Sequence, residues 1–176
     1  MVATGSDESV HLQAWRALIR AQSSLACHLE RELISAEGLP LAWYEVLLVL
    51  DRAPEGALRL QQLMGTVLMT KSGVSRLVDR MQEAGLISRT GCPSDRRGAF
   101  AVISDLGREK LRRAAPIHAR GIEEHLASVL DLDRAADLRD SLTVVADALG
   151  GGGPCISGDG VDVQATMTPR VHPDRD

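Results

Sequence analysis

Thr70, Lys71, Ser72, Ser75, Arg76 and Arg80 bring hydroxyls and cations into a run whose remaining large positions, Val74, Leu77, Val78 and Met81, are apolar. The apolar four repeat at i, i+3, i+4 and i+7, the spacing of one helix face. The polar residues then share the other side. A helix face of donors, acceptors and guanidinium groups can read base edges in a major groove and hold the flanking phosphates. Ser72, Ser75 and Arg76 are the expected base contacts, Thr70 the expected helix cap, and Lys71 and Arg80 the expected phosphate contacts. Arg80 has a competing use, an ion pair with Asp79 or Glu83.

The neighbouring segments supply what would position that helix. Leu60, Leu63 and Met64 mark one face of a short preceding helix, and Gly85 suits a left-handed C-cap. Apolar strands around Cys92-Pro93-Ser94-Asp95-Arg96-Arg97-Gly98 predict a hairpin with a cationic tip, beside which Ala57 and Leu58 can pair as a brief strand. That order is a helix-turn-helix followed by a wing.

The stretch resembles the MarR (multiple antibiotic resistance regulator) family of winged-helix regulators over roughly residues 10–149. The family's Asp-x-Arg wing motif stands here as Asp95-Arg96-Arg97. Its Leu-Thr-x-x-Gly appears as Ile103-Ser104-Asp105-Leu106-Gly107, which keeps an apolar residue before a hydroxyl cap. The resemblance implies that Arg97 enters the minor groove, that Asp95 orients it, and that Arg96 contacts the adjacent backbone. A narrow minor groove concentrates negative potential, which attracts a guanidinium. The fold expected is mainly α with a small β-wing. A winged helix-turn-helix lobe at about residues 41–104 joins dimerisation helices at about 8–36 and 105–149, in one domain spanning about 8–149.

Net charge divides along the chain in the same way. Residues 1–55 carry 4 basic and 8 acidic side chains, residues 56–113 carry 11 and 5, and residues 114–176 carry 5 and 11. The segments thus stand at −4, +6 and −6, so the positive charge coincides with the helix-turn-helix and wing although the whole chain is at −4. Such polarity orients a protein on DNA and limits sticking by its other faces.

The flanks carry long apolar periodicities. Val10, Leu12, Trp15, Leu18, Ile19, Leu25, Leu29 and Leu33 run along a first helix that Gly38-Leu39-Pro40 ends. A shorter helix follows at Leu41–Leu50, then a turn at Asp51–Gly56. Asp105 to about Leu130 reads as a long helix interrupted by Pro116, with a kink expected near Arg112 to Pro116, and about Asp133 to Leu149 as a last one. These helices hold more apolar surface than one winged lobe can cover. A homodimer solves that, and its two-fold symmetry matches a pseudo-palindromic site on double-stranded DNA. From Gly150 the chain turns to glycine, proline and polar residues, so 150–176 is expected to be a disordered tail.

The family resemblance further implies a small-molecule effector, often an aromatic phenol or carboxylate, that weakens DNA binding from a pocket between the dimer helices and the lobe. His11, Trp15, Arg16 and His118 are the candidates, with Arg16 and the histidines pairing a carboxylate and Trp15 packing on a ring. A redox alternative rests on Cys92, between Gly91 and Pro93 and near Arg89 and Arg96, or on Cys27, which lies too far along the first helix to match peroxide-sensing relatives. A winged-helix protein-interaction module without sequence reading is a third possibility. His118 and His125, seven apart, could share a site on one helical face. No phosphate loop, nucleophile elbow or metal spacing is present, so neither enzyme nor cofactor is expected. Three cysteines at unrelated spacings argue against a disulfide framework. No stretch is long and apolar enough for a bilayer and the N-terminus lacks a secretory pattern, so the expected location is cytoplasmic.

Overall fold

The structure, a computed structural model, describes residues 9–66, 71–92 and 95–149, with side chains described outside 64–66, 71–72, 92 and 95–98. Thr70 and the segment 150–176 lie outside the described residues. The elements run α1 (Val10–Glu37), α2 (Leu41–Arg52), a 3-10 turn (Pro54–Gly56), β1 (Ala57–Arg59), α3 (Leu60–Thr66), α4 (Lys71–Glu83), β2 (Ile87–Cys92), β3 (Asp95–Ile103), α5 (Asp105–Ala127) and α6 (Leu132–Ala148). This is a mainly helical winged helix-turn-helix fold with one small antiparallel sheet, ordered β1-β3-β2. Leu58 and Arg89 flank Ala101 from either side, which fixes the register of both pairings.

One core serves the lobe. Leu33 of α1 and Leu39 meet Val46, Leu47 and Leu50 of α2, Leu63 of α3, and Val74, Val78 and Met81 of α4, all essentially buried. The apolar spacing of α4 thus becomes its inner face, and burial of such side chains contributes about 1.5–3 kcal/mol each.

The ends of these elements have identifiable causes. Gly38, at φ +61, closes α1 by donating its N–H to Ile34 O. The Glu30 carboxylate accepts from the Leu41 amide, so α1 supplies the anion that the positive end of α2 favours. Gly85, at φ +73, lets the chain leave α4 and enter β2, with Leu86 N–H bonding Met81 O. Ser104 caps α5 by accepting from Gly107 N–H at 3.0 Å while its hydroxyl donates to Gly85 O at 2.6 Å. One hydroxyl therefore ties the end of the wing to the end of α4.

One boundary shifts from the sequence expectation. α2 continues to Arg52 before the 3-10 turn. α5 runs from Asp105 to Ala127 with Pro116 inside it. Pro116 and Arg112 are both exposed, so the carbonyl that loses its amide donor lies where water can serve it.

α5 packs antiparallel on the second half of α1. Lys110 and Arg113 meet Glu37, and His125 meets Glu32 at 2.8 Å. In the first half of α1, Val10, Leu12, Trp15, Leu18 and Ile19 are exposed, and α6 has no buried residue. No single helix among the described residues is long and apolar enough to cross a membrane.

Candidate nucleic-acid interface

With Val74, Leu77, Val78 and Met81 turned into the core, α4 presents Ser75, Arg76, Asp79 and Arg80 to solvent. Lys71 and Ser72 form its first turn, so Ser72, Ser75, Arg76 and Asp79 share a face by helical spacing. An exposed row of hydroxyl and guanidinium groups on a helix fixed from behind by core contacts has the form of a groove reader.

The two competing fates of Arg80 resolve unexpectedly. Asp79 pairs with Arg89 of β2 at 2.6 Å, and Arg80 lies over the Trp43 ring of α2 at 5.8 Å. A cation over an indole face is attracted by the ring quadrupole. Arg89 also donates to Ser75 O at 3.5 Å, so one guanidinium of the wing grips two turns of α4. The sequence reading missed Arg89 and Trp43. The available signal was that Arg89 shares its strand face with Ile87, whose side chain is buried. A cation on the core-facing side of a strand needs a partner.

Beside α4, the Arg59 amide donates to Gln62 Oε1 at 3.1 Å, capping the first turn of α3. The Arg59 guanidinium covers Phe100 at 5.4 Å, so β1 and β3 are clamped across their outer face. The wing strands carry Asp95, Arg96 and Arg97 at the start of β3, with Cys92 opposite Asp95 and a register irregularity between Gly91 and Cys92.

Comparison with known proteins gives the same lobe. The MarR family model matches residues 37–98, from the end of α1 into the second wing strand. The chain is 30% identical over 116 residues to the HTH-type transcriptional regulator MhqR of Bacillus subtilis, covering 66% of this chain and 78% of that relative. The chain belongs to the MarR family. Among solved structures it is similar to the MarR regulator Sco3205 of Streptomyces coelicolor, in complex with DNA, at 33% identity and TM-score 0.71, covering 80% and 92% of the two chains. AbsC, a MarR regulator of the same organism, aligns at 30% identity and TM-score 0.72 over 85% and 99%. The protein is a DNA-binding transcriptional regulator of the MarR type.

The remaining MarR-type candidates fall in two places. His11, Trp15 and Arg16 sit on the exposed first turns of α1. His118 is instead half-buried against Tyr44 of α2, with ring centroids 4.4 Å apart and stacked. Burial holds the His118 imidazole below its ordinary pKa and pushes the Tyr44 phenol up, against a smaller opposing pull from Arg52. Because Glu32 and Glu37 of α1 bracket the level of His118 on α5, Arg16 lies sixteen residues or more away along α1. That is about 24 Å at 1.5 Å per residue. One chain does not bring these four together.

His118 and His125 do not share a site either. His125 faces α1, where it bonds Glu32 and approaches the His28 ring at 4.7 Å. α5 packs on both α1 and α2, and His118 faces Tyr44 of α2 where His125 faces α1. Beside His28, a groove of about 530 Å³ runs between the helices, bounded by Arg31, Arg120 and Ile117. Cys27 is exposed on α1.

Proposed function

We propose that the chain acts as a cytoplasmic homodimeric repressor that reads a pseudo-palindromic operator and releases it on binding a small aromatic carboxylate. The observation that carries the DNA-reading part is the division of α4. Its inner face is locked into the core, while Ser75, Arg76 and Arg80 stay exposed within the segment that holds the chain's positive charge. Ser72, Ser75 and Arg76 reach base edges, and Lys71, Arg80 and Arg96 hold phosphates. Thr70 caps α4, and Arg97, oriented by Asp95, enters the minor groove.

Selection of binding sites from a random duplex library tests this reading. Arg97→Ala is expected to weaken the selected duplex by about 1–3 kcal/mol, as loss of a guanidinium contact does, and Arg76→Ala to relax base preference as well. Unchanged affinity of both variants at low salt defeats the assignment of contacts.

The dimer is supported by apolar surface that the single chain leaves open. Trp15, Leu18 and Ile19 of α1, Leu126 of α5, and Leu138, Leu142 and Val145 of α6 all stay exposed. Two copies of these helices can bury one another, placing the two α4 helices about one DNA turn apart.

For the effector, His11, Trp15 and Arg16 could meet His118 only across subunits, so the site is inter-subunit in this reading. Arg16→Ala is then expected to abolish release by a panel of benzoates while leaving operator affinity near wild type. Trp15 fluorescence quenching by the same benzoates gives an independent readout. Release that persists without Arg16 moves the site elsewhere.

A further inference from the structure

Asp79 poses a problem for the reading of α4 on which this inference rests. It stands on the same exposed face as Ser75 and Arg76, and about half of its side chain is open to solvent. A bare carboxylate there would meet the phosphates that the neighbouring guanidinium groups must approach, and like charges across an interface oppose binding. The structure supplies its counter-charge from a different element. Arg89, on β2, reaches Asp79 Oδ1 at 2.6 Å and the Ser75 carbonyl at 3.5 Å, and about a third of its side chain is exposed.

The geometry points to Arg89 as a specificity-positioning residue, a strut from the wing that fixes the pitch of the recognition helix and masks Asp79 from DNA. Ser75 and Asp79 are one helical turn apart, so a guanidinium bonded to both resists rotation and tilt of α4 about its axis. Its other end is anchored by register, because Arg89 pairs with the buried Ala101 of β3, the strand that begins with Asp95-Arg96-Arg97. Arg89 thereby links the reader of the major groove to the strand that carries the arginines of the wing. Base readout depends on placing donors within a few tenths of an ångström, whereas phosphate attraction tolerates slack. Loss of the strut should therefore harm discrimination more than attraction.

Exposed ion pairs contribute little to stability, which makes the pair testable without unfolding the protein. The duplex is the site selected by the full-length wild-type chain, and the reference is a shuffled duplex of equal composition. Kd is measured for both by fluorescence anisotropy across a salt series, for wild type, Arg89→Ala, Asp79→Asn and the double variant. Each single variant is expected to reduce the ratio of shuffled to selected Kd about tenfold, and the double variant no further, as a shared interaction requires. The two singles should differ in attraction. Arg89→Ala uncovers Asp79 and weakens the shuffled duplex several-fold, while Asp79→Asn leaves it equal or tighter. If Arg89→Ala does not fold, as judged by circular dichroism, Asp79→Asn alone decides, since it breaks the same bond while keeping volume.

Two results overturn the strut. One is an Arg89→Ala loss equal on both duplexes, with the salt slope reduced by about one charge and Asp79→Asn without effect, as a plain phosphate contact gives. The other is retained discrimination in Asp79→Asn. A wild-type chain that enriches no sequence at all overturns the reading of α4 beneath it, and the two failures are distinguishable.

Discussion

Leu142→Asp in α6 is expected to turn the protein into a monomer and to lower its affinity for operator DNA by at least about a hundredfold, some 2.7 kcal/mol. Leu142 lies one turn from Leu138 and close to Val145 on a helix none of whose side chains is buried within the chain. A leucine that becomes buried only on association contributes about 1.5–3 kcal/mol, and two-fold symmetry loses it in both subunits at once. The introduced carboxylate adds a desolvation penalty at the same seam. A monomer then holds one recognition helix and half of the phosphate contacts. The lobe core lies on other elements, so the far-UV circular dichroism of the variant should match wild type. Sedimentation equilibrium at micromolar concentration and anisotropy with the selected duplex provide the readouts. A variant that remains dimeric with wild-type affinity assigns the seam to other surfaces.

What the sequence disclosed and what it hid follow from the range of the interactions involved. The inner face of α4 was legible because Val74, Leu77, Val78 and Met81 repeat at helical spacing, and all four are buried. Gly85 was legible as a C-cap because few residues other than glycine adopt positive φ cheaply, and it stands at +73. The brief strand was foreseen at Ala57 and Leu58, with the wing as the near partner, and it extends one residue further to Arg59.

Contacts between side chains far apart in the chain were not legible. Arg80 was weighed against Asp79 and Glu83, its neighbours in sequence, yet Asp79 is taken by Arg89 and Arg80 lies over Trp43. For His11, Trp15, Arg16 and His118 the sequence disclosed chemistry but not distance. Suitable chemistry was present, but the helix lengths set His118 far from the other three in one chain.

Gly107→Ala is expected to destabilise the fold by about 3 kcal/mol, against a helix propensity that by itself favours alanine by about 1 kcal/mol. The clash should win because of what surrounds the position. A Cβ on residue 107 would lie 2.2 Å from the Leu86 carbonyl oxygen, 3.0 Å from Ile103 Cγ1 and 3.1 Å from Leu47 Cδ2. The first of these is backbone, and it is held from two sides. Leu86 N–H bonds Met81 O, and Leu86 O accepts from Ser104 N–H, each at 3.0 Å. Moving α5 away instead would break the Ser104 cap on Gly107 N–H and the hydroxyl bond to Gly85 O. Every route to relief therefore sacrifices a hydrogen bond at the junction of α4, wing and α5, and each such loss costs about 1 kcal/mol. This gives a physical reason for a glycine at the end of the Ser104-Asp105-Leu106-Gly107 segment. Urea unfolding should show a midpoint lower by about 1–2 M with unchanged slope, as a pure stability loss gives. The folded fraction should also discriminate operator from shuffled duplex less well, because the same junction orients α4 against the wing. A midpoint within a few tenths of a molar of wild type would mean that residue 86 yields freely and that the junction does not set the frame.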